Sequence, residues 1–320
     1  MLSPPATLSE ADLAGAVARA WGLRVASLDY RAVGFGSHHW AVVAADGSRW
    51  FVTVDELVAD DSFDRLVASL SAARALRAAG RDFVVAPVST VDGAVVAPVG
   101  PGFAVAVYPH VDGCSFDWGS FDGPEQRDAV LAMVVGVHTA PAEVCRLARV
   151  DDFAVPHLST LDAALDGTLG APAPDAGPYS ARVAALLAAR GPSVRALLRR
   201  YRELAALADP ARAVLTHGEP HPGNTMLTAD GWRLIDWDTV LVAQPERDLW
   251  SLDPGDGSLL SAYAEATGVR PLPEMLELFR VRWTVADIAD FVASLSRPHT
   301  GDANDDAAWT YLEATVAGLP

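Results

Sequence analysis

The sequence predicts an α+β protein: a small, sheet-rich first lobe followed by a larger, mainly helical second lobe, with a cleft between them. Three observations carry that expectation. Apolar runs of strand length, parted by turns such as Asp46-Gly47 and Val91-Asp92-Gly93, crowd the first 108 residues. Apolar residues at helical spacing dominate the rest. The chain has 320 residues, 51% of them hydrophobic, and 9 Trp, enough for a sizeable core. The lobes are expected at residues 1–108 and 109–320.

The elements follow in order. Residues 8–21 read as a helix with an acidic first turn. Strands are expected at 25–33, 40–44 and 49–54, with the turn Gly34-Phe35-Gly36-Ser37 between the first two. Residues 62–79 place Phe63, Leu66, Val67, Leu70, Ala73 and Leu76 on one helical face, and Gly80 ends the run. Strands are expected again at 83–88, 94–98 and 103–108. A helix opened by Pro124 runs to 139, and the Pro/Gly/Asp-rich stretch 155–180 reads as a connector. Residues 180–208 are helical, short strands follow at 214–215, 226–227 and 233–235, and helices close the chain at 257–267, 272–296 and 302–316.

Composition excludes several function classes. The formal net charge of -17 argues against nucleic acid or an anionic membrane as partner and suits a small polar, cationic or neutral ligand. No apolar run reaches the length of a bilayer span, and the N-terminus lacks the pattern of a signal peptide, so a cytoplasmic protein is expected. Cys114 and Cys145 are too few for a disulfide framework and read as reduced, buried thiols. All 24 basic residues are Arg and none is Lys, so chemistry that needs an amine side chain is excluded.

The chemistry-bearing stretch is His217-Gly218-Glu219-Pro220-His221-Pro222-Gly223-Asn224, followed by Ile235-Asp236-Trp237-Asp238. Carboxylates, an amide and a His set among turn formers are what a magnesium-dependent phosphoryl transferase needs. One carboxylate orients the acceptor hydroxyl; a second, with an amide oxygen, holds the metal on the phosphates.

These residues resemble the signature of the aminoglycoside phosphotransferase and choline-kinase-like family, small-molecule kinases with a protein-kinase-like fold. Pro245-Glu246-Arg247-Asp248-Leu249 resembles the segment after the metal aspartate in the spectinomycin-type branch, and Tyr108-Pro109-His110-Val111-Asp112-Gly113 resembles the hinge between lobes. The resemblance implies Mg2+, with Asn224 and Asp236 as its ligands, and ATP or GTP as co-substrate. It puts Glu219 at the catalytic base position and implies that His217 pins the loop and that His221 is structural. Asp248 would bond loop backbone or Arg side chains. Nucleotide contacts are implied for Gly34, Gly36, Ser37, Thr53 and Tyr108. In the Gly-rich turn backbone N–H groups can cover phosphates; His38 and His39 beside it read as exposed turn residues.

Two departures stand out. The kinase-like third strand carries a Lys that pairs with a Glu on the next helix. Here the Lys position is Thr53, and residues 62–79 contain no Glu; Arg31, Arg49 and Arg74 are candidates to substitute. Glu219 stands where the family has Asp, moving the carboxylate by about 1.5 Å, a shift that costs ~10²-fold if uncompensated. Three readings follow: an active Mg-nucleotide-dependent kinase for a hydroxyl of a small polar molecule such as an antibiotic, aminocyclitol or sugar; a pseudokinase that binds a ligand or protein partner without transfer; or a peptide-hydroxyl kinase in natural-product biosynthesis. Asp253, Asp256, Asp287 and Asp290 are acids that could contact a substrate amine.

Overall fold

A computed structural model describes residues 1–34, 36–170 and 176–320. Along the chain run α1 (Glu10–Trp21), β1 (Val25–Arg31), β2 (Ser37–Ala44), β3 (Arg49–Glu56), α2 (Ser62–Ala78), β4 (Ala97–Val99), β5 (Phe103–Pro109), β6 (Cys114–Ser115), α3 (Pro124–His138), α4 (Ala142–Cys145), β7 (Arg149–Val150), α5 (Leu158–Leu165) and α6 (Ser180–Ala205). Then come β8 (Val214–Thr216), β9 (Thr225–Thr228), β10 (Gly231–Leu234), β11 (Leu241–Ala243), α7 (Glu246–Leu249), α8 (Ser258–Thr267), α9 (Pro273–Ser296) and α10 (Ala303–Ala317). The N-terminal region is thus an antiparallel sheet with helices and the C-terminal region is mainly helical.

Two compact units form. One joins residues 1–151 with 210–271; the other joins 152–209 with 272–320. The first is built on a five-stranded antiparallel sheet ordered β1-β2-β3-β5-β4. Strand alternation sends Trp40, Val42, Val52, Val54, Val105 and Val107 to one face, where α1 covers them with Leu13, Ala16, Val17 and Trp21. Each such side chain contributes roughly 1.5–3 kcal/mol by leaving water. Ser9 caps α1 by accepting the Asp12 N–H at 3.1 Å.

The same alternation dictates the other face. Register places Ser37 opposite Asp55, His39 opposite Thr53 and Phe51 opposite Tyr108. These residues therefore share the face turned away from α1, and they carry the polar groups that the alternation keeps out of the core.

In the second unit α6 and α9 pack along each other, with α5 and α10 also against α9. Apolar positions Val183, Leu187, Val194 and Leu198 of α6, and Val285, Ile288 and Val292 of α9, are buried. Arg200 of α6 makes two hydrogen bonds to Glu277 of α9, at 2.7 and 2.6 Å.

Several expectations are corrected. Residues 83–88 form no ladder: Val84 makes one isolated bridge to Leu234, and Val88 N–H donates to Val107 O at 2.8 Å. Pro87 within the run has no N–H to give. The connector 155–180 contains α5, whose single deeply buried residue is Leu161; residues 171–175 of it lie outside the described residues. His38 and His39 are in β2 rather than an exposed turn. His38, 3% exposed, lies on the core side with Nδ1 near Tyr30 Oη at 3.2 Å and Ser3 O at 3.1 Å. Cys114 is exposed and Cys145 half-buried, both free thiols; Cys114 lies in β6, a two-residue edge strand whose residues are both exposed.

Candidate active site

The site is assembled around the turn that follows β8. Asp248, fully buried on α7, accepts the backbone N–H of His217 at 2.7 Å and of Gly218 at 2.6 Å, and lies 3.1 Å from His138 Nε2. Burial alone would raise its carboxyl. The His138 hydrogen bond and the nearby positive charge of Arg247 outweigh that and hold the carboxyl below its ordinary value. Asp248 thus bonds loop backbone, as anticipated for it. Arg247 donates to Thr216 Oγ1 and to Thr239 O, each at 2.8 Å. Gly218, at φ 106°, lets the chain pass that guanidinium, into which any Cβ would run.

His217 is completely buried. Its Nε2 donates to Ile235 O at 2.9 Å and its Nδ1 accepts the Glu219 N–H at 3.2 Å, with its ring edge-on to Trp237. Burial pushes this imidazole down to about 4, so it is neutral at physiological pH. It ties the turn to the chain after β10 and has no proton to trade.

The Asn224 and Asp236 backbones are brought side by side by the β9–β10 hairpin. Leu234 pairs with Thr225, and the next N–H along, Ile235, donates to Asn224 O at 2.9 Å. The buried Asn224 side chain donates through Nδ2 to Glu219 O at 3.0 Å, so its Oδ1 is not the atom spent on that bond. Asp236 sits at φ 65°, a left-handed conformation that costs a non-glycine residue about 1–3 kcal/mol and clusters at functional sites. Its side chain keeps solvent access yet is ringed by protein. Burial first, then the charges of Glu219 and Asp55, push its carboxyl up to about 6, and its hydrogen bond to Asp238 opposes this. Asp238 is raised by the same causes.

An amide beside two carboxylates that repel one another and share a hydrogen bond is, in its donor chemistry, a set that fits a hard divalent cation. No group of three or more His, Cys, Asp or Glu among the described residues could hold a metal alone. Mg2+ commonly keeps water and takes only one or two carboxylates from protein, the rest being substrate phosphate.

Glu219 lies on the same turn. His221 Nε2 is 3.8 Å from its Oε2. Burial would raise this carboxyl, but His221, with His217 and Arg247 behind it, lowers it overall, so Glu219 is ionised at neutral pH and can take a proton. Trp118 stands at the turn's edge: its ring centroid is 6.3 Å from that of His221, at 71°.

The sheet supplies the remaining expected residues. Gly34 and Gly36 have positive φ of 66° and 92°, while Phe35 between them lies outside the described residues. Ser37 Oγ donates to Asp55 at 2.5 Å. Thr53 lies in hydrogen-bond reach of the Tyr108 hydroxyl, whose pKa burial raises. The three candidate stand-ins for the missing Lys are engaged elsewhere: Arg31 with Asp29 at 2.8 Å, Arg49 with Asp112, and Arg74 with Ser89 and Gly93 O. Asp253 and Asp256 close local turns through Gly255 and Ser258 backbone N–H groups. A cavity of about 310 Å³ between α3 and α8, lined by Arg127, Asp128 and Asp256 among others, takes in the candidate acid Asp256 but none of the expected catalytic, metal or nucleotide residues.

Sequence reasoning missed Asp55 and the part played by Asp238. Asp238 is two residues past Asp236 and was visible as a second acid. Asp55 carries no motif; only the register that sets it opposite Ser37 draws attention to it.

Comparisons with known proteins give the family and the fold. Residues 29–279 match the phosphotransferase enzyme family, APH. Protein StrN of Streptomyces griseus is 33% identical over 247 residues, covering 74% of this chain and 72% of that protein. A spectinomycin phosphotransferase solved with ADP and spectinomycin is similar in fold, with TM-score 0.71 over 97% of each chain at 16% identity. So is an amicoumacin kinase solved with AMP-PNP, Ca2+ and its ligand, with TM-score 0.59 over 97% of this chain and 94% of that one at 13% identity. The matched span and the StrN relationship make this chain a member of the phosphotransferase enzyme family, with the kinase-like fold of its small-molecule phosphotransferases.

Proposed function

We propose that this protein transfers the γ-phosphate of a magnesium-bound nucleotide, ATP or GTP, to a hydroxyl of a small polar molecule. One observation carries the reading: a single hydrogen-bonded turn and the adjoining hairpin present an ionised Glu219, the Asn224 amide oxygen and the Asp236 carboxylate from the same compact unit. Asn224 and Asp236 would hold Mg2+, which when bound offsets phosphate charge. Glu219 orients the acceptor hydroxyl and takes its proton as the acceptor oxygen bonds to the γ-phosphorus and the bond to the β-phosphate oxygen breaks. Backbone N–H groups of the turn at Gly34, Gly36 and Ser37 cover the phosphates. Thr53 and Tyr108 face the nucleotide from the sheet, and the lobe that covers it ends near residue 108. The net charge of -17 and the crowded carboxylates favour a cationic acceptor and a cytoplasmic setting rich in nucleotide.

Family membership favours this over the reading without transfer. Calorimetry with Mg-ATP and Mg-GTP tests it: metal-dependent binding, together with phosphate transfer to a hydroxylated acceptor, is expected. Absence of nucleotide binding in both titrations overturns it.

A further inference from the structure

The segment between β6 and α3 holds an indole out in solvent beside the candidate catalytic turn. Its ends are anchored: Phe116 stacks on Trp232 with centroids 5.4 Å apart, and Phe121 lies under the Arg127 guanidinium at 5.4 Å. Between them Trp118 is 67% exposed, a large aromatic surface left open to solvent beside the candidate catalytic turn. Its position is set rather than free. Its backbone N lies 3.3 Å from where a Gly223 Cβ would stand, its ring is tilted 71° to that of His221 with centroids 6.3 Å apart, and His221 Nε2 is 3.8 Å from Glu219 Oε2. The indole and the proposed base therefore both neighbour one imidazole. Residues 113–123 contain Asp117 and Asp122 and no basic residue, so a cation meets no repulsion from this segment.

We infer that Trp118 is the stacking platform for the acceptor. Its indole face takes the ring of a polyol bearing a protonated amine, through C–H and cation–π contact, and so sets the hydroxyl toward Glu219. This rests on the kinase reading for what Glu219 does, but the platform itself is a binding claim.

The test separates the two. Protein labelled with 5-fluorotryptophan carries nine reporters, and Trp118→Phe assigns one resonance by its loss. With Mg-AMP-PNP present, spectinomycin, a cationic ring, is expected to shift the Trp118 resonance, and myo-inositol, an uncharged ring, to shift it less. Calorimetry is expected to show spectinomycin binding weakened about tenfold or more by Trp118→Ala and less than about threefold by Trp118→Phe, with AMP-PNP binding unchanged in both. A Trp118 resonance that stays still with spectinomycin, or equal binding in wild type and Trp118→Ala, overturns the inference. Transfer that proceeds with Trp118 unmoved leaves the kinase reading standing and the platform refuted. Binding through Trp118 without transfer to any acceptor does the reverse.

Discussion

Two regions of the sheet-bearing unit contrast sharply. From Thr216 to Asp248 nearly every polar group has a named job. Asp248 receives two backbone N–H groups, His217 clamps both its nitrogens, and Arg247 bridges Thr216 and Thr239. On the β2–β3 face the opposite holds: Thr53, expected at the position of the kinase-like Lys, carries no charge, Asp55 adds an anion, and the Arg candidates pair elsewhere. The first region is built to hold a geometry; the second contributes Asp55, whose charge helps to raise the carboxyls of Asp236 and Asp238 on the turn. Like charges crowded together are costly unless opposed. The contrast teaches that, if the proposed Mg2+ binds at Asn224 and Asp236, it is the cation rather than a strand side chain that opposes the phosphate and carboxylate charge.

If the turn holds that cation, Asp236→Ala should abolish transfer, by about 10³-fold or more, while leaving the melting temperature near or above wild type, since a strained, raised carboxylate is removed. A radiolabelled transfer assay beside a melt checks it; retained activity would break the comparison outright. Next, Asp248→Ala leaves three buried donors without an acceptor and should cost roughly 3–5 kcal/mol in denaturant unfolding, with activity falling alongside.

The pH response sharpens it. His217, buried neutral with its pKa lowered from 6.5 to about 4, binds a proton less readily folded than unfolded. Its contribution is complete above about pH 6.5 and is lost as pH falls toward 4, roughly 3 kcal/mol at most. Asp236 and Asp238, raised in the folded state, act with the opposite sign over part of this window, so the reading is a difference. The stability gap between wild type and His217→Gln should narrow as pH drops from 6.5 to 4. The smallest expected effect is a gain: Thr53→Lys returns an ammonium to the strand and should tighten nucleotide binding about tenfold and reduce its dependence on metal. Calorimetry with and without Mg2+ reads this, and no change would mean that Thr53 does not stand where the cation would.

Much was legible beforehand for a physical reason. Val52 and Val54 alternating with Thr53 and Asp55 dictate a two-faced strand whatever surrounds it. Leu66, Leu70, Ala73 and Leu76 recur at helical spacing, so α2 shows in the sequence. The loop motif was legible because glycine, proline and short polar residues state their backbone needs locally. Residues 83–88 misled because an apolar run says it is buried, not that it is paired. α5 hid among turn formers because its burial rests on one residue, Leu161. The two histidines of β2 were misplaced because a turn signal two residues away outweighed alternation.

The amino-acid order alone determined that Asn224 and Asp236 could lie together, that no Lys exists to serve a phosphate, and that Glu219 keeps a carboxylate at the loop. Only the tertiary structure decided that Asp55 joins their field, that Asp248 binds the loop backbone, and that Trp118 stands open beside His221. The first set depends on local spacing, which the chain carries with it. The second depends on hydrogen-bond register and on approaches between residues 30 or more apart in sequence, and those exist only once the sheet and the turn have formed.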